Sequence, residues 1–194
     1  MYEVIGSTQS RAFRVMWMLE ELGQDYKHSP EKPRSEMVSA LNPSGKVPVF
    51  KDGDAVLTDS TAIISYLGDK HQALTYPCGT IERAKQDALT HQVLDEIDSV
   101  LWVAARHTFI LPEDKRVPEV KDSLRWEFDR NVARIAERLE GPFLMGDTMT
   151  VPDIILTHCL NWAYASKFTY DQDNLLAYAK AMRGRDAFKR AVGK

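Results

Sequence analysis

The sequence predicts an α/β domain over residues 1–73 followed by an all-α domain over residues 81–194. Three observations predict it. Short strand-like pieces alternate with helix-like ones only in the first part. Beyond residue 80 the hydrophobic spacing is three-and-four throughout. Between them "LTYPCGT" (Leu74–Thr80) carries Pro and Gly and reads as a linker.

"YEVI" (Tyr2–Ile5) opens the chain as a strand, and "GSTQS" (Gly6–Ser10) turns it into a helix. Apolar residues at Ala12, Val15, Met16, Leu19 and Leu22 draw one helical face, and Gly23 stops it. "YKH" (Tyr26–His28) is a brief second strand. "VPVF" and "AVLT" flank "KDGD", and Asp52-Gly53 is a hairpin signal that makes them antiparallel neighbours. "DSTAIISYLGDK" restarts a helix with Ala62, Ile63, Tyr66 and Leu67 on its inner side. The order is β-α-β-(α)-β-β-α.

In the second part Leu89, Val93, Ile97, Val100, Leu101 and Ala104 mark one long amphipathic helix broken by Pro112. Leu124, Phe128, Val132, Ile135 and Leu139 mark another, closed by "EGP". A third runs from Thr150 to about Ser166, and residues 174–192 hold one or two more. In "MTVPDII", Thr150 is the N-cap, Pro152 falls in the first turn and Asp153 sits three residues after the cap, with Met149 and Ile154 placed as a staple. A catalytic acid at Asp153 is the alternative; the spacing favours the cap.

Composition narrows the function classes. With 44% hydrophobic and 27% charged residues the chain fits an ordinary globular protein, and a net charge of −3 gives no footprint for nucleic acid. No apolar run approaches the roughly 20 residues of a membrane span. A strand from the second residue leaves no room for a signal peptide. Cys78 and Cys159 stand far apart, neither a disulfide framework nor a zinc site, which suits a cytoplasmic location and no metal.

The stretch "NPSGKVPVF" (Asn42–Phe50) sets the functional question, because Pro48 begins a strand without an N–H to give it. This motif, "LTDSTAIISYL" and "TVPDIIL" follow in order at characteristic spacing. Together they make nearly the whole chain resemble a cytosolic glutathione transferase of bacterial type with a serine-like active site. The resemblance implies a thioredoxin-like first domain, an all-helical second one and a homodimer. It also implies that glutathione is the co-substrate, used against a small electrophile with no metal.

It implies a cis Val47–Pro48 bond that turns the Val47 main chain toward the ligand, where an extended tripeptide pairs with it as an added strand. Asp59 and Ser60 open a helix, where free N–H groups favour a carboxylate. Ser60 suits the γ-glutamyl carboxylate, Asp59 its ammonium, and Lys46 the glycine carboxylate. Asp59-Ser60 also reads as a plain N-cap.

The chemistry needs the thiol ionised. A free thiol has a pKa near 8.5, and lowering it by about two units takes roughly 2.7 kcal/mol. "GSTQS" offers Ser7, Thr8 and Ser10. Register against "RAFRV" favours Ser7, which matches the serine of theta- and zeta-like classes; Ser10 falls where it would cap the helix, and Tyr2 is a distant third. The turn has no Cys-x-x-Cys, so a redox dithiol is excluded there. Trp102, Arg106, His107 and Phe109, late on the long helix, are candidates for the second-substrate pocket. Disulfide or peroxide reduction and isomerisation remain open as alternative reactions on the same site. A non-catalytic adaptor remains open as an alternative of another class.

Overall fold

The computed structural model describes residues 1–194, which form two compact units, residues 1–80 with 181–194 and residues 81–180. The first is built on a four-stranded sheet: β1 (Tyr2–Ile5), β2 (Tyr26–Ser29), β3 (Val49–Asp52) and β4 (Ala55–Thr58), in the order β2-β1-β3-β4. β1 runs parallel to β2, and its return from β2 to β3 passes through the short helix α2 (Glu36–Leu41). β3 and β4 form a hairpin closed by Gly53-Asp54, with Gly53 at φ +60°, as a glycine-first turn requires.

The helix α1 (Ala12–Glu21) is buried from Ala12 through Leu19, Arg14 included, far beyond the one apolar face its spacing suggests. It packs on β1, on α3 (Ser60–His71) and on α9 (Asp186–Val192). Phe188 of α9 stands edge-on to Phe13 and Trp17, with centroids 5.1 and 5.0 Å away. Charge secures the same contact: Arg185 grips Glu21 through two bonds of 2.6 and 2.8 Å, and Arg190 reaches Glu20 at 2.8 Å. The tail of the chain thereby belongs to the first unit.

One reading of α3 needs correction. Its buried face is Ser60, Ile63, Ile64, Leu67 and Gly68, whereas Ala62 and Tyr66 are exposed. Tyr66 turns outward because its hydroxyl finds Asp52 at 2.6 Å, where Lys70 also binds that carboxylate.

The second unit is helical. The long helix is continuous in course but not uniform: α4 (Ile81–Val93), a π-helical turn (Leu94–Asp98), α5 (Ser99–Ala105) and a second π turn (Arg106–Ile110). All six apolar positions that predicted it are buried. Each π turn lengthens the hydrogen-bonded ring by one residue, and at the first the Glu96 carbonyl accepts from Asn131 Nδ2 at 2.7 Å. Asn131 lies on α6 (Val120–Arg138); α7 (Val151–Ala165) follows, and then α8 (Asp173–Gly184), which belongs to this unit as far as residue 180.

The capping box forms at the head of α7. The buried Asp153 carboxylate accepts from the Thr150 amide (2.8 Å), the Leu144 amide (2.8 Å) and the Tyr178 hydroxyl (3.0 Å). Burial pushes its pKa up, against the pull of those donors. The Thr150 hydroxyl adds a fourth contact at 3.2 Å, so both oxygens are engaged within the cap. No helix is long and apolar enough to cross a membrane.

Candidate functional site

Strand register brings the predicted residues of the first unit to one end of the sheet. Ile5 pairs with Val49, and Val49 with Thr58. The segments just beyond those partners are therefore neighbours: Gly6-Ser7 after β1, Val47-Pro48 before β3 and Asp59-Ser60 after β4. Gly6 makes the approach close. A Cβ there would lie 2.9 Å from that of Ala12 and 3.0 Å from that of Val47, and its φ of +135° is one that side chains rarely adopt.

The two serines are not equivalent. Ser10 Oγ donates to the Ser7 carbonyl at 2.7 Å and accepts from the Ala12 amide at 3.1 Å, so it is consumed in starting α1. Ser7 makes no hydrogen bond through its hydroxyl or its amide. Tyr2, inside β1, gives its hydroxyl to a contact with His71 at 2.9 Å.

The Val47–Pro48 bond is cis. The Val47 amide and carbonyl have no partner in the protein. The loop below them is braced by Asn42, whose side-chain amide donates to the Lys46 carbonyl at 2.9 Å. The Lys46 ammonium is exposed and unpaired.

Asp59 caps α3 with one oxygen only: Oδ1 accepts from the amides of Thr61 (2.9 Å) and Ala62 (3.0 Å), and Oδ2 is left over. Its backbone sits at φ +70°, ψ 121°, an unfavourable place for a residue with a side chain, which the surrounding cap must hold. Ser60 is buried, and its hydroxyl accepts from Arg14 Nη1 at 3.3 Å. Unpaired donors and acceptors from three segments thus converge, and they suit an extended ligand with peptide groups, a carboxylate and an ammonium.

In the second unit, Trp102 is half-buried on α5, while Arg106 and Phe109 on the following π turn are exposed. His107 Nδ1 accepts from the Val117 amide at 3.0 Å. That ring nitrogen anchors the loop after the helix.

Sequence reasoning missed Arg14, the strained Asp59 backbone and His28, whose ring lies 2.8 Å from the Gly6 carbonyl. Arg14 had one signal, a charge inside the run Ala12–Leu19.

The chain matches two family models, described as "Glutathione S-transferase, N-terminal domain" over residues 4–75 and "Glutathione S-transferase, C-terminal domain" over residues 96–186. It is 32% identical over 202 residues to "Glutathione S-transferase 1" of Triticum aestivum, covering 91% of this chain and 86% of that one. It is 27% identical over 158 residues to "Glutathione S-transferase GstA" of Escherichia coli O157:H7, covering 79% and 75%. Among solved structures it is similar to the theta class glutathione S-transferase of the citrus canker pathogen Xanthomonas axonopodis pv. citri, which has glutathione bound. That likeness has a TM-score of 0.81 and 25% identity, with 100% of this chain and 97% of the other covered.

Proposed function

Because the chain belongs to the glutathione S-transferase family, we propose that Ser7 stabilises the thiolate of glutathione for attack on a small electrophile. Glutathione S-transferase is its activity by homology to those enzymes, and glutathione is the substrate.

The observation that carries the serine assignment is the contrast between the two hydroxyls. Ser10 is engaged on both sides, whereas Ser7 is free to donate. A hydrogen bond to a charged group contributes roughly 1.5–3 kcal/mol. A nearby helix N-terminus adds roughly 0.3–1 kcal/mol. Their sum reaches the roughly 2.7 kcal/mol needed to bring a thiol pKa down by about two units.

The remaining roles follow from the groups left unpaired and from the Ser60 hydroxyl, which accepts from Arg14 and keeps its own proton to donate. The Val47 amide and carbonyl pair with the cysteinyl main chain, Asp59 Oδ2 takes the γ-glutamyl ammonium, and the Ser60 hydroxyl and α3 N-terminus take its carboxylate. Lys46 takes the glycine carboxylate, with Pro48 shaping the edge. Asp59 serves as cap and ligand at once because each oxygen has its own task. Trp102, Arg106 and His107 complete the reading as second-substrate residues, the His107 ring acting there through Nε2.

Family grounds extend the reading to a cytoplasmic homodimer with chain-order domains 1–73 and 81–194. Light scattering checks the dimer. The reaction itself is tested with a panel of aryl halides, isothiocyanates, hydroperoxides and a small disulfide. Turnover of the first two with release of conjugate supports transferase chemistry. Turnover confined to the last two overturns it in favour of glutathione-dependent reduction.

A further inference from the structure

We propose that His28 is a positioning residue for Ser7, acting through the Gly6–Ser7 peptide; this rests on the assignment of Ser7 above. His28 lies on the edge strand β2, opposite Val4 in the parallel register. Its Nε2 is 2.8 Å from the Gly6 carbonyl oxygen. A carbonyl only accepts, so Nε2 carries the proton and donates. One residue further along β2, the Ser29 carbonyl accepts from the Gly6 amide at 2.9 Å. Both polar groups of Gly6 are therefore held by β2.

The consequence for Ser7 follows from peptide geometry. The Gly6 carbonyl and the Ser7 amide share one rigid plane and point in opposite directions. Fixing the carbonyl toward β2 turns the Ser7 N–H away from it and sets the Ser7 Cα from which Oγ projects. The Ser7 amide makes no hydrogen bond, so within that plane the His28 bond to the Gly6 carbonyl is the polar contact that sets it; the Ser7 carbonyl, in the next plane, is held by the Ser10 amide at 3.0 Å and hydroxyl at 2.7 Å. Gly6, with the widest backbone freedom of any residue, is where the peptide plane turns most readily once the His28 bond is lost.

The test compares His28→Ala, His28→Asn and His28→Gln with Ser7→Ala, reading the ultraviolet thiolate signal of bound glutathione against pH, together with kcat, KM and Tm. Gln places an amide N–H close to the position of Nε2; Asn is too short. Ala and Asn should raise the bound thiol pKa by about one unit and lower kcat at neutral pH about tenfold, with recovery at high pH. KM for glutathione should change less than about twofold, since its anchors lie on other segments. Gln should restore the thiol pKa. In a Ser7→Ala background, His28→Asn should add no further shift. A bound thiol pKa unchanged in His28→Asn while Ser7→Ala raises it overturns the proposal and leaves Ser7 standing. If Ser7→Ala itself leaves the pKa unchanged, the Ser7 reading fails first and this inference falls with it. If Ala does not fold, the Asn and Gln pair decides: equal thiol pKa values in the two overturn the proposal.

Discussion

Arg14 on α1 donates from its guanidinium to the Ser60 hydroxyl at 3.3 Å, wholly inside the protein. The bond joins the helix that follows Ser7 to the helix that Ser60 opens, so the two ends of the proposed glutathione site share a support. Arg14→Met keeps length and apolar packing but removes the donor. Glutathione affinity should fall by about 1 kcal/mol, close to fivefold, as the Ser60 hydroxyl loses its fixed orientation. Calorimetry checks this. Wild-type affinity in the variant would show that Ser60 needs no such support.

Asp59 allows its two roles to be separated. Asp59→Asn keeps an oxygen for the Thr61 and Ala62 amides but removes the charge facing the ligand. Melting temperature should stay within a few degrees of wild type while glutathione affinity falls by roughly 1–3 kcal/mol. Asp59→Ala should lose both, with a stability loss of roughly 0.5–2 kcal/mol from the cap. Ser60→Ala should weaken binding by roughly 1–3 kcal/mol. Unchanged affinity in all three variants would remove the γ-glutamyl assignment.

The capping box predicts a stability effect without a catalytic one. Thr150→Ala should cost about 1 kcal/mol and leave glutathione affinity as it was. Asp153→Ala should cost more, because the buried amides of Thr150 and Leu144 lose their acceptor and the Tyr178 hydroxyl loses its shorter bond, keeping the Asp153 carbonyl at 3.3 Å. Chemical denaturation measures both. An Asp153→Asn protein with intact melting but no turnover would make Asp153 a catalytic acid after all.

Much of this was legible in the residues. The succession of strands and helices along the first domain, the hairpin and the capping box follow from turn residues and from spacing. The second unit's core from Leu89 to Ala104 is read from the interval of its apolar positions alone. What failed to show has physical reasons. A buried arginine occupies a helix position that any exposed polar residue could fill, so Arg14 looked ordinary. A left-handed φ at an aspartate leaves no mark in sequence, unlike one at glycine. The π turns at Leu94–Asp98 and Arg106–Ile110 add one residue to a ring without breaking the three-and-four pattern. Tyr66 reads as core by hydropathy, yet its hydroxyl preferred Asp52. Ser7 and Ser10 are chemically alike in sequence, and only their partners tell them apart.

Acid should loosen the tail on α1. Burial pushes the Glu20 carboxyl up, but bonds from Arg190, Lys194 and Tyr26 outweigh it and hold the pKa below the ordinary carboxylate value. A lowered folded pKa gives stability that is complete above the unfolded value, about 4.3. That stability is lost as pH falls through the folded value. Glu20→Gln should therefore lower Tm at pH 7 and flatten its decline as pH falls below about 4.3. Parallel acid limbs in variant and wild type would mean that Glu20 adds nothing there.

The central claim is that Ser7 holds the thiolate, and titration of bound glutathione by its ultraviolet thiolate absorbance tests it most directly. Ser7→Ala should raise the bound thiol pKa by about one to two units, matching a lost hydrogen bond of roughly 1.5–3 kcal/mol. Conjugation at neutral pH should fall about ten- to a hundredfold and partly return at high pH. Ser10→Ala should leave that pKa in place and lower stability by about 1 kcal/mol. A thiol pKa unmoved by Ser7→Ala but raised by Ser10→Ala would contradict the account.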